Sequence, residues 1–175
     1  LKSPVSIEKL SLQSIQQAAA ADYYDGLVNL KGVQVTNSGI NLTSVNTRGF
    51  ATPFNSRFVQ LADGMDTADP TINANLGSIN GPAELDMEII ELIPGAASAL
   101  YGPNAFNGLM MINSKSPFDY PGLSVMIKQG ITSSNAGGTF GMGVYGLRYA
   151  KVINDKFAFK VNLHYLTAED WTAND

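Results

Sequence analysis

The alternation of apolar and polar residues between residues 123 and 165 constrains the fold more than any other feature. Three segments repeat it with a period of two, the spacing that places alternate side chains on one face of a β-strand. They cover residues 123–132, 143–151 and 156–165. In the last segment Phe157, Phe159, Val161, Leu163 and Tyr165 alternate with Lys156, Ala158, Lys160, Asn162 and His164. The pattern predicts three strands, each with one apolar and one polar face.

Two environments fit such strands, a soluble core and a membrane. Each segment has about the 9–11 residues of a tilted membrane-spanning strand, and no apolar run approaches the roughly 20 residues of a spanning helix. Only 15% of the residues are charged, against about 25% in soluble domains. A tight turn at Asn154-Asp155 and a longer connection at 133–138 are typical of outer-membrane barrels. A soluble antiparallel sheet with one face on a core alternates in the same way, so periodicity alone leaves both open.

The first two thirds of the chain indicate mixed α and β structure. Asp22, followed by Asp25, is typical of a helix start. Short β-rich runs at 33–35, 42–47, 57–62, 88–93 and 109–113 predict strands, and the Asn- and Gly-rich run 73–82 predicts a surface loop. The Pro- and Gly-bounded stretch 116–122 is the best domain boundary. We therefore expect domains at residues 1–116 and 117–175.

Three motifs in the first domain carry a family resemblance. They are Asn46-Thr47-Arg48-Gly49-Phe50, the Val59–Gly64 strand that ends in Asp-Gly, and the strand, turn, short helix and strand of residues 91–115. Together they resemble the plug domain of a TonB-dependent outer-membrane receptor, over roughly residues 4 to 116. The amino-acid sequence of residues 97–108 most resembles that of receptors from Bacteroidota-type bacteria.

The resemblance implies a fold class and a location. The fold is an α+β plug domain, a small mixed sheet with short helices, followed by the first three antiparallel strands of a transmembrane β-barrel. Such transporters have about 22 strands, so the sequence is expected to be a fragment. The location is the outer membrane of a Gram-negative cell, with the plug inside the barrel and accessible from the periplasm.

The resemblance also implies TonB-dependent active transport of a scarce nutrient, in which the plug closes the barrel and contributes to ligand binding. The implied partners are the TonB–ExbB–ExbD energy-coupling complex, outer-membrane lipid and a nutrient ligand. A surface lipoprotein or a larger assembly is a further possible partner. Nothing in the sequence names the nutrient.

The family motifs suggest which residues meet the ligand. The Arg-Gly motif places Arg48 at a strand-to-loop transition near the ligand, and the loop after Asp63-Gly64 is expected to form an apex. The predicted ligand-facing set is Arg48, Phe50, Phe54, Met65, Asp66, Asn73 and Asn75. Pro94 stands where many family members carry Arg or Lys, so Arg57 or Glu91 is predicted to make the plug–barrel contact instead.

Several kinds of chemistry are not expected. The chain has no cysteine and one histidine, His164, which lacks a carboxylate at a spacing that would orient it for catalysis. The aspartates at 63, 66 and 69 do not alternate as calcium ligands do and are expected to form turns. Residues 102–108 lack the Lys and Ser/Thr of a phosphate-binding loop. We therefore predict no catalytic site, no metal and no cofactor.

Charge argues against nucleic acid. The net charge is -4, and Lys and Arg are scattered singly rather than grouped in a basic patch. Two alternatives to import remain open. One is a receptor-like barrel that seals or scaffolds a larger outer-membrane assembly without importing. The other is a soluble extracellular enzyme or glycan-binding module, which requires that the last three strands belong to a closed soluble domain.

Overall fold

The structure is a computed structural model that describes residues 7–11, 13–14, 22–40, 42–49, 53–134 and 138–169. It divides into two compact units, Leu1–Ser114 and Lys115–Asp175. The division falls two residues before the expected boundary at residues 116 and 117. The functional assignment of the two domains stays a prediction at this point.

The first unit is built from short strands and helices. They are β1 (Glu8–Ser11), α1 (Tyr23–Leu27), β2 (Val33–Asn37), β3 (Thr43–Thr47), β4 (Phe58–Ala62), β5 (Met65–Asp66), β6 (Met87–Pro94), α2 (Ser98–Tyr101) and β7 (Gly108–Ser114). One-turn 3₁₀ helices occupy Gly77–Ile79 and Glu84–Asp86. The Asp22 side chain accepts a hydrogen bond from the Tyr24 N–H at the start of α1. The helix start at Asp22 is therefore confirmed.

The sheets of the first unit are mixed, as expected. A five-stranded sheet has the order β1-β6-β7-β4-β5, and β2 pairs with β3 in a separate two-stranded sheet. β4 and β7 are parallel, while the other neighbouring pairs in the large sheet are antiparallel. The parallel pair joins strands that are about fifty residues apart, because Phe58 lies beside Gly108.

The large sheet is covered on both faces. On one face Ile90, Leu92, Met110 and Ile112 are fully buried in a cluster that includes Tyr23, Tyr24 and Leu27 of α1. On the other face a smaller cluster forms from Val59, Ile93, Ala97, Ala105 and Leu109. Alternate residues of β6 and β7 enter opposite clusters, which is the period-two geometry of a strand. Apolar burial on both faces is the main force that holds this sheet together.

The second unit contains β8 (Gly122–Ser134), β9 (Gly138–Asn154) and β10 (Phe157–Ala168). They form an antiparallel sheet in the order β10-β9-β8. β8 and β9 run further into the 133–138 connection than expected. The predicted tight turn after Asn154 is confirmed, since its Oδ1 accepts hydrogen bonds from the N–H groups of Lys156 (3.0 Å) and Phe157 (2.9 Å).

The two faces of this second sheet differ sharply. Large apolar side chains stand exposed on one face, among them Leu123 (64% exposed), Ile127 (65%), Leu163 (63%) and Tyr165 (65%). The opposite face carries the buried Arg148, which is 1% exposed. A soluble sheet on a core has the reverse arrangement, with its apolar face covered. An exposed apolar face is what a strand against lipid requires.

Within the described residues, no helix has the length and apolar character needed to cross a membrane.

Candidate functional site

The loops of the first unit gather at the two ends of its five-stranded sheet. At one end, here called the Gly95 end, β6 stops at Pro94 while β4 and β7 begin. At the other, the Asp63 end, β4 and β7 stop and β6 begins. β4 spans five residues, so the two ends are about 13 Å apart at the usual rise per residue.

A cluster of buried amides holds the Gly95 end together. The Thr47 N–H donates to Oδ1 of Asn107 (3.0 Å), and Nδ2 of Asn107 donates to the Thr47 carbonyl (2.9 Å). The Thr47 hydroxyl also donates to the Asn107 carbonyl. Nδ2 of Asn55 donates to Oδ1 of Asn107 (2.8 Å) and to Oδ1 of Asn46 (2.7 Å). All four residues are buried, so the side chain of Asn107 replaces a rung of a β-ladder and ties β3 to the start of β7.

Arg48 lies on the surface of this cluster, next to Gly95. Its φ is 57°, in the left-handed region, and its N–H donates to the Gly32 carbonyl (3.0 Å). Gly95 has φ 91°, and its N–H donates to Oγ1 of Thr47 (3.1 Å). A Cβ at position 95 would lie 2.4 Å from Cζ of Arg48. Glycine at position 95 therefore leaves the space in which the guanidinium rests.

The loop after β5 returns along β4 to the same end. The Thr67 N–H donates to the Gln60 carbonyl (3.1 Å), and Nδ2 of Asn75 donates to the Phe58 carbonyl (2.9 Å). Asn104, in the turn between α2 and β7, donates through Nδ2 to Oδ1 of Asn73 (3.4 Å). These bonds bring Asn73 and Asn75 to the Gly95 end, about one strand length from Met65.

The Asp63 end is closed by the Asp-Gly turn. Asp63 has φ 49°, and its carboxylate accepts hydrogen bonds from the Ser114 N–H (2.8 Å) and the Ser114 hydroxyl (2.6 Å). Met65 and Asp66, the two residues of β5, lie beside this turn and are exposed. Oδ1 of Asp66 accepts from the Ala68 N–H (2.9 Å). The predicted use of these aspartates in turns is thus confirmed.

The predicted ligand-facing residues therefore fall into two groups. Arg48, Phe54, Asn73 and Asn75 belong to the Gly95 end, since Phe54 directly precedes the clustered Asn55. Met65 and Asp66 lie at the Asp63 end. Phe50 lies outside the described residues. The ligand-facing role of these residues stays a prediction.

The two residues predicted to reach the barrel wall have partners within the first unit. Glu91 on β6 forms an ion pair with Lys9 on β1, with Nζ and Oε1 2.5 Å apart. Arg57 is exposed, and its main chain joins the amide cluster: its N–H donates to Oδ1 of Asn55 (3.1 Å) and its carbonyl accepts from the Asn107 N–H (2.7 Å). Their contact with the barrel stays a prediction.

Sequence reasoning missed the buried amides and an exposed apolar patch. The sequence around Asn55 and Asn107 predicts only a turn, because asparagine before glycine or serine is common in turns. It does not indicate that their side chains are buried. Leu100 is 82% exposed and Phe106 is 55% exposed, on the segment that connects β6 to β7 at the Gly95 end. The presence of apolar residues in a turn bounded by Gly and Pro could have indicated that patch from the sequence.

Two carboxylates of the first unit have shifted pKa values. Burial raises the pKa of Asp22, and a hydrogen bond from Ser78 opposes that shift. Hydrogen bonds from the hydroxyl and the N–H of Thr71 lower the pKa of the exposed Asp69. In the part of the chain that the structure describes, no group of three His, Cys, Asp or Glu residues could hold a metal ion. His164 is exposed on the polar face of β10.

Comparison with known proteins identifies the family. The model of the TonB-dependent receptor plug domain matches residues 1–109, well over half of the chain. The chain belongs to the TonB-dependent receptor plug domain family. It is an outer-membrane protein with a plug domain and antiparallel barrel strands. No curated protein matches it.

Solved structures share the fold of the plug domain and of the strands that follow. The ferric citrate transporter FecA, in its unliganded form, has a TM-score of 0.78 at 16% identity over 97% of this chain and 26% of its own. The siderophore receptor PirA of Pseudomonas aeruginosa has a TM-score of 0.66 at 20% identity, with 97% and 30% covered.

A mutant of the ferric enterobactin receptor PfeA of Pseudomonas aeruginosa has a TM-score of 0.69 at 17% identity, with 96% and 25% covered. The chain thus spans less than a third of the length of these structures. They are receptors and transporters rather than enzymes.

Proposed function

We propose that this chain forms the plug and the first barrel strands of a receptor that imports a scarce nutrient by TonB-dependent active transport. Residues 1–116 act as the plug, and residues 117–175 begin the barrel wall. The observation that carries the proposal is a plug-family sheet followed by three strands whose apolar face is exposed. A soluble enzyme or glycan-binding module would need a further part of the protein to cover that face. The function proposed is transport, with no catalysis.

The partners follow from that role. The TonB–ExbB–ExbD complex supplies energy, and outer-membrane lipid surrounds the apolar face of β8, β9 and β10. No residue of the chain identifies the nutrient. Iron chelates are the first ligands to test, because similar structures include receptors for ferric enterobactin and ferric citrate. The Bacteroidota-type origin likewise stays a prediction.

The ligand-facing surface of the plug is proposed to include Arg48, Phe50, Phe54, Asn73 and Asn75, with Met65 and Asp66 as a separate part. Arg48 is exposed as a residue, and within the described residues no side-chain hydrogen bond or ion pair to its guanidinium is seen. An exposed cation beside amide groups suits an anionic or oxygen-rich ligand. Because the two groups lie at opposite ends of the sheet, they are tested separately.

The experiment uses the full-length receptor in cells that have or lack TonB. Uptake of labelled ferric citrate and ferric enterobactin is measured together with binding to the purified receptor. We expect uptake of at least one chelate to require TonB. Binding without TonB-dependent uptake would favour a receptor-like barrel that seals an assembly. Failure of both chelates to bind would reject the proposed ligand class.

Two matched variants test the site. Arg48→Ala is expected to weaken ligand binding by about tenfold, the usual scale for losing one charge-assisted contact. Asp66→Ala tests the Asp63 end in the same assay. Unchanged affinity in Arg48→Ala would remove the Gly95 end from the ligand site, and unchanged affinity in Asp66→Ala would remove β5.

A further inference from the structure

Two cations of the second unit hold its opening segment in place. The guanidinium of Arg148, on β9, donates through Nη1 to the Tyr120 carbonyl (2.7 Å) and through Nη2 to the Lys115 carbonyl (3.3 Å). Nζ of Lys160, on β10, donates to the same Lys115 carbonyl (3.0 Å). We call Arg148, Lys160 and these two carbonyls the carbonyl clamp.

The clamped segment is itself a folded turn. The Tyr120 N–H donates to the Ser116 carbonyl (3.0 Å), and the Phe118 N–H donates to the Ser116 hydroxyl (3.2 Å). The ammonium of Lys115 lies 5.9 Å from the centre of the Tyr120 ring, within range of a cation–π contact. The turn therefore presents the carbonyls at its two ends to one guanidinium.

Arginine suits this position for a physical reason. Arg148 is 1% exposed, and a buried charge is costly unless hydrogen bonds replace its lost hydration. The planar guanidinium has five N–H donors in a fixed arrangement, so it serves two carbonyls at once. Lys160 and Arg148 share the polar face, since Lys160 lies two residues from Asn162, the cross-strand partner of Arg148.

We propose that the carbonyl clamp makes residues 115–120 a fixed part of the barrel wall rather than a free linker. Any rearrangement of the plug during transport then ends at Lys115, because the next residues are bonded to β9 and β10. The role in transport rests on the proposed function. The clamp itself is a property of the second unit and is tested without transport.

The test measures trypsin cleavage after Lys115 in the full-length receptor in detergent. Lys115 is 7% exposed, so the wild type should be cut slowly there. Arg148→Met removes the guanidinium bonds to Lys115 and Tyr120 and should raise the cleavage rate about tenfold or more, because cleavage follows the population of the open segment. Arg148→Lys should give an intermediate rate, and Lys160→Met a smaller rise.

Lys156→Met is the matched control, because it removes the same charge from an exposed turn of the same sheet. It should leave cleavage unchanged. Wild-type cleavage rates in both Arg148→Met and Lys160→Met, with the barrel still folded by heat-modifiable mobility, would overturn the proposal. If Arg148→Met does not fold, unchanged hydrogen exchange of the Tyr120 amide in Lys160→Met would overturn it.

Uptake is measured in parallel to separate the two proposals. A wild-type receptor that takes up no chelate would count against import and leave the clamp standing. Normal uptake, together with unaltered cleavage in the clamp variants, would reject the clamp alone.

Discussion

Arg48 adopts a left-handed backbone conformation that residues with a side chain rarely take, at a cost of order 1–3 kcal/mol. The surrounding bonds hold it there: its N–H reaches the Gly32 carbonyl, and the neighbouring Thr47 is tied to Gly95 and Asn107. These bonds fix the backbone from which the Arg48 side chain extends toward Gly95. Strain of this kind is often found at ligand sites.

Gly95→Ala tests how Arg48 is positioned. The added Cβ overlaps the guanidinium, so we expect the arginine to move and the variant to lose as much ligand affinity as Arg48→Ala. The double variant should bind like either single variant, since both changes act through one group. Gly64→Ala is the control, with a similar φ (83°) and nothing within 4 Å of the added Cβ. Equal losses in Gly64→Ala would assign the effect to backbone strain.

Asp22 predicts a pH dependence of local stability. Burial raises its pKa, so the folded protein keeps the proton to a higher pH than the unfolded chain. The free energy of unfolding therefore falls as pH rises from the ordinary value near 3.8 through the raised value, and the loss is complete above it. Asp22→Asn keeps the helix cap and removes this titration.

Hydrogen exchange of the α1 amides, corrected for the intrinsic effect of pH, measures this dependence. The variant should gain protection relative to the wild type between pH 4 and pH 7. A relative gain by the wild type over that interval would contradict the assigned direction.

At the scale of elements, side-chain hydrogen bonds add connections between strands to those that backbone pairing makes. The β2–β3 hairpin lies outside the five-stranded sheet and is joined to β7 through the amide of Asn107. The Asp63 carboxylate joins the end of β4 to the end of β7 in the same manner. Each of these bonds holds a loop that has no continuous β-ladder. Loss of one of them should therefore destabilise the local structure more than loss of one bond in a long sheet.

Asn107→Ala is expected to destabilise the Gly95 end by roughly 1–3 kcal/mol, because it leaves the Thr47 N–H and carbonyl buried without their partners. Hydrogen exchange of the β3 amides in the full receptor measures the loss. Asn104→Ala is the control, since its side chain is exposed and makes a longer bond (3.4 Å). Equal exchange rates of the β3 amides in the two variants would show that Asn107 does not stabilise the Gly95 end more than Asn104 does.

Periodicity predicted β8, β9 and β10 because alternation is a local property of each strand. Their greater length was not predicted, since the Gly- and Ser-rich ends of β8 and β9 have the composition of a loop. The order of the plug sheet also escaped prediction, because β4 pairs with β7 about fifty residues later. The contact of Arg48 with Gly95 and the split of the ligand-facing set depend on that order, so no local pattern reveals them.

At the scale of the whole molecule, the exposed apolar face of the second unit agrees with its place in the outer membrane. Tyr145 and Tyr165 stack at 6.4 Å, and Tyr149 meets Phe159 edge-on at 6.0 Å, both pairs on that face. Cross-strand aromatic pairs stabilise an antiparallel sheet and fix its register. The same side chains would promote aggregation in water, so lipid is their natural solvent.

Leu163→Lys should impair barrel assembly, because a lysine at the bilayer midplane costs about 2–4 kcal/mol. His164→Lys is the control. His164 is the next residue along β10 and its side chain lies on the polar face, so a lysine should be tolerated there. Urea unfolding in lipid vesicles, read by heat-modifiable mobility, compares the two. Similar unfolding midpoints would place both faces of β10 in the same surroundings and reject the lipid contact.

The parallel pairing of β4 with β7 has a kinetic consequence. β1 and β6 are also far apart in sequence, so two of the four strand pairs in the five-stranded sheet are non-local, and such pairs form slowly. A chain released only as far as residue 107 has β4 without its central neighbour. The plug is therefore expected to close late in biogenesis, after its last strand has been delivered, and a nascent chain should stay unfolded until then.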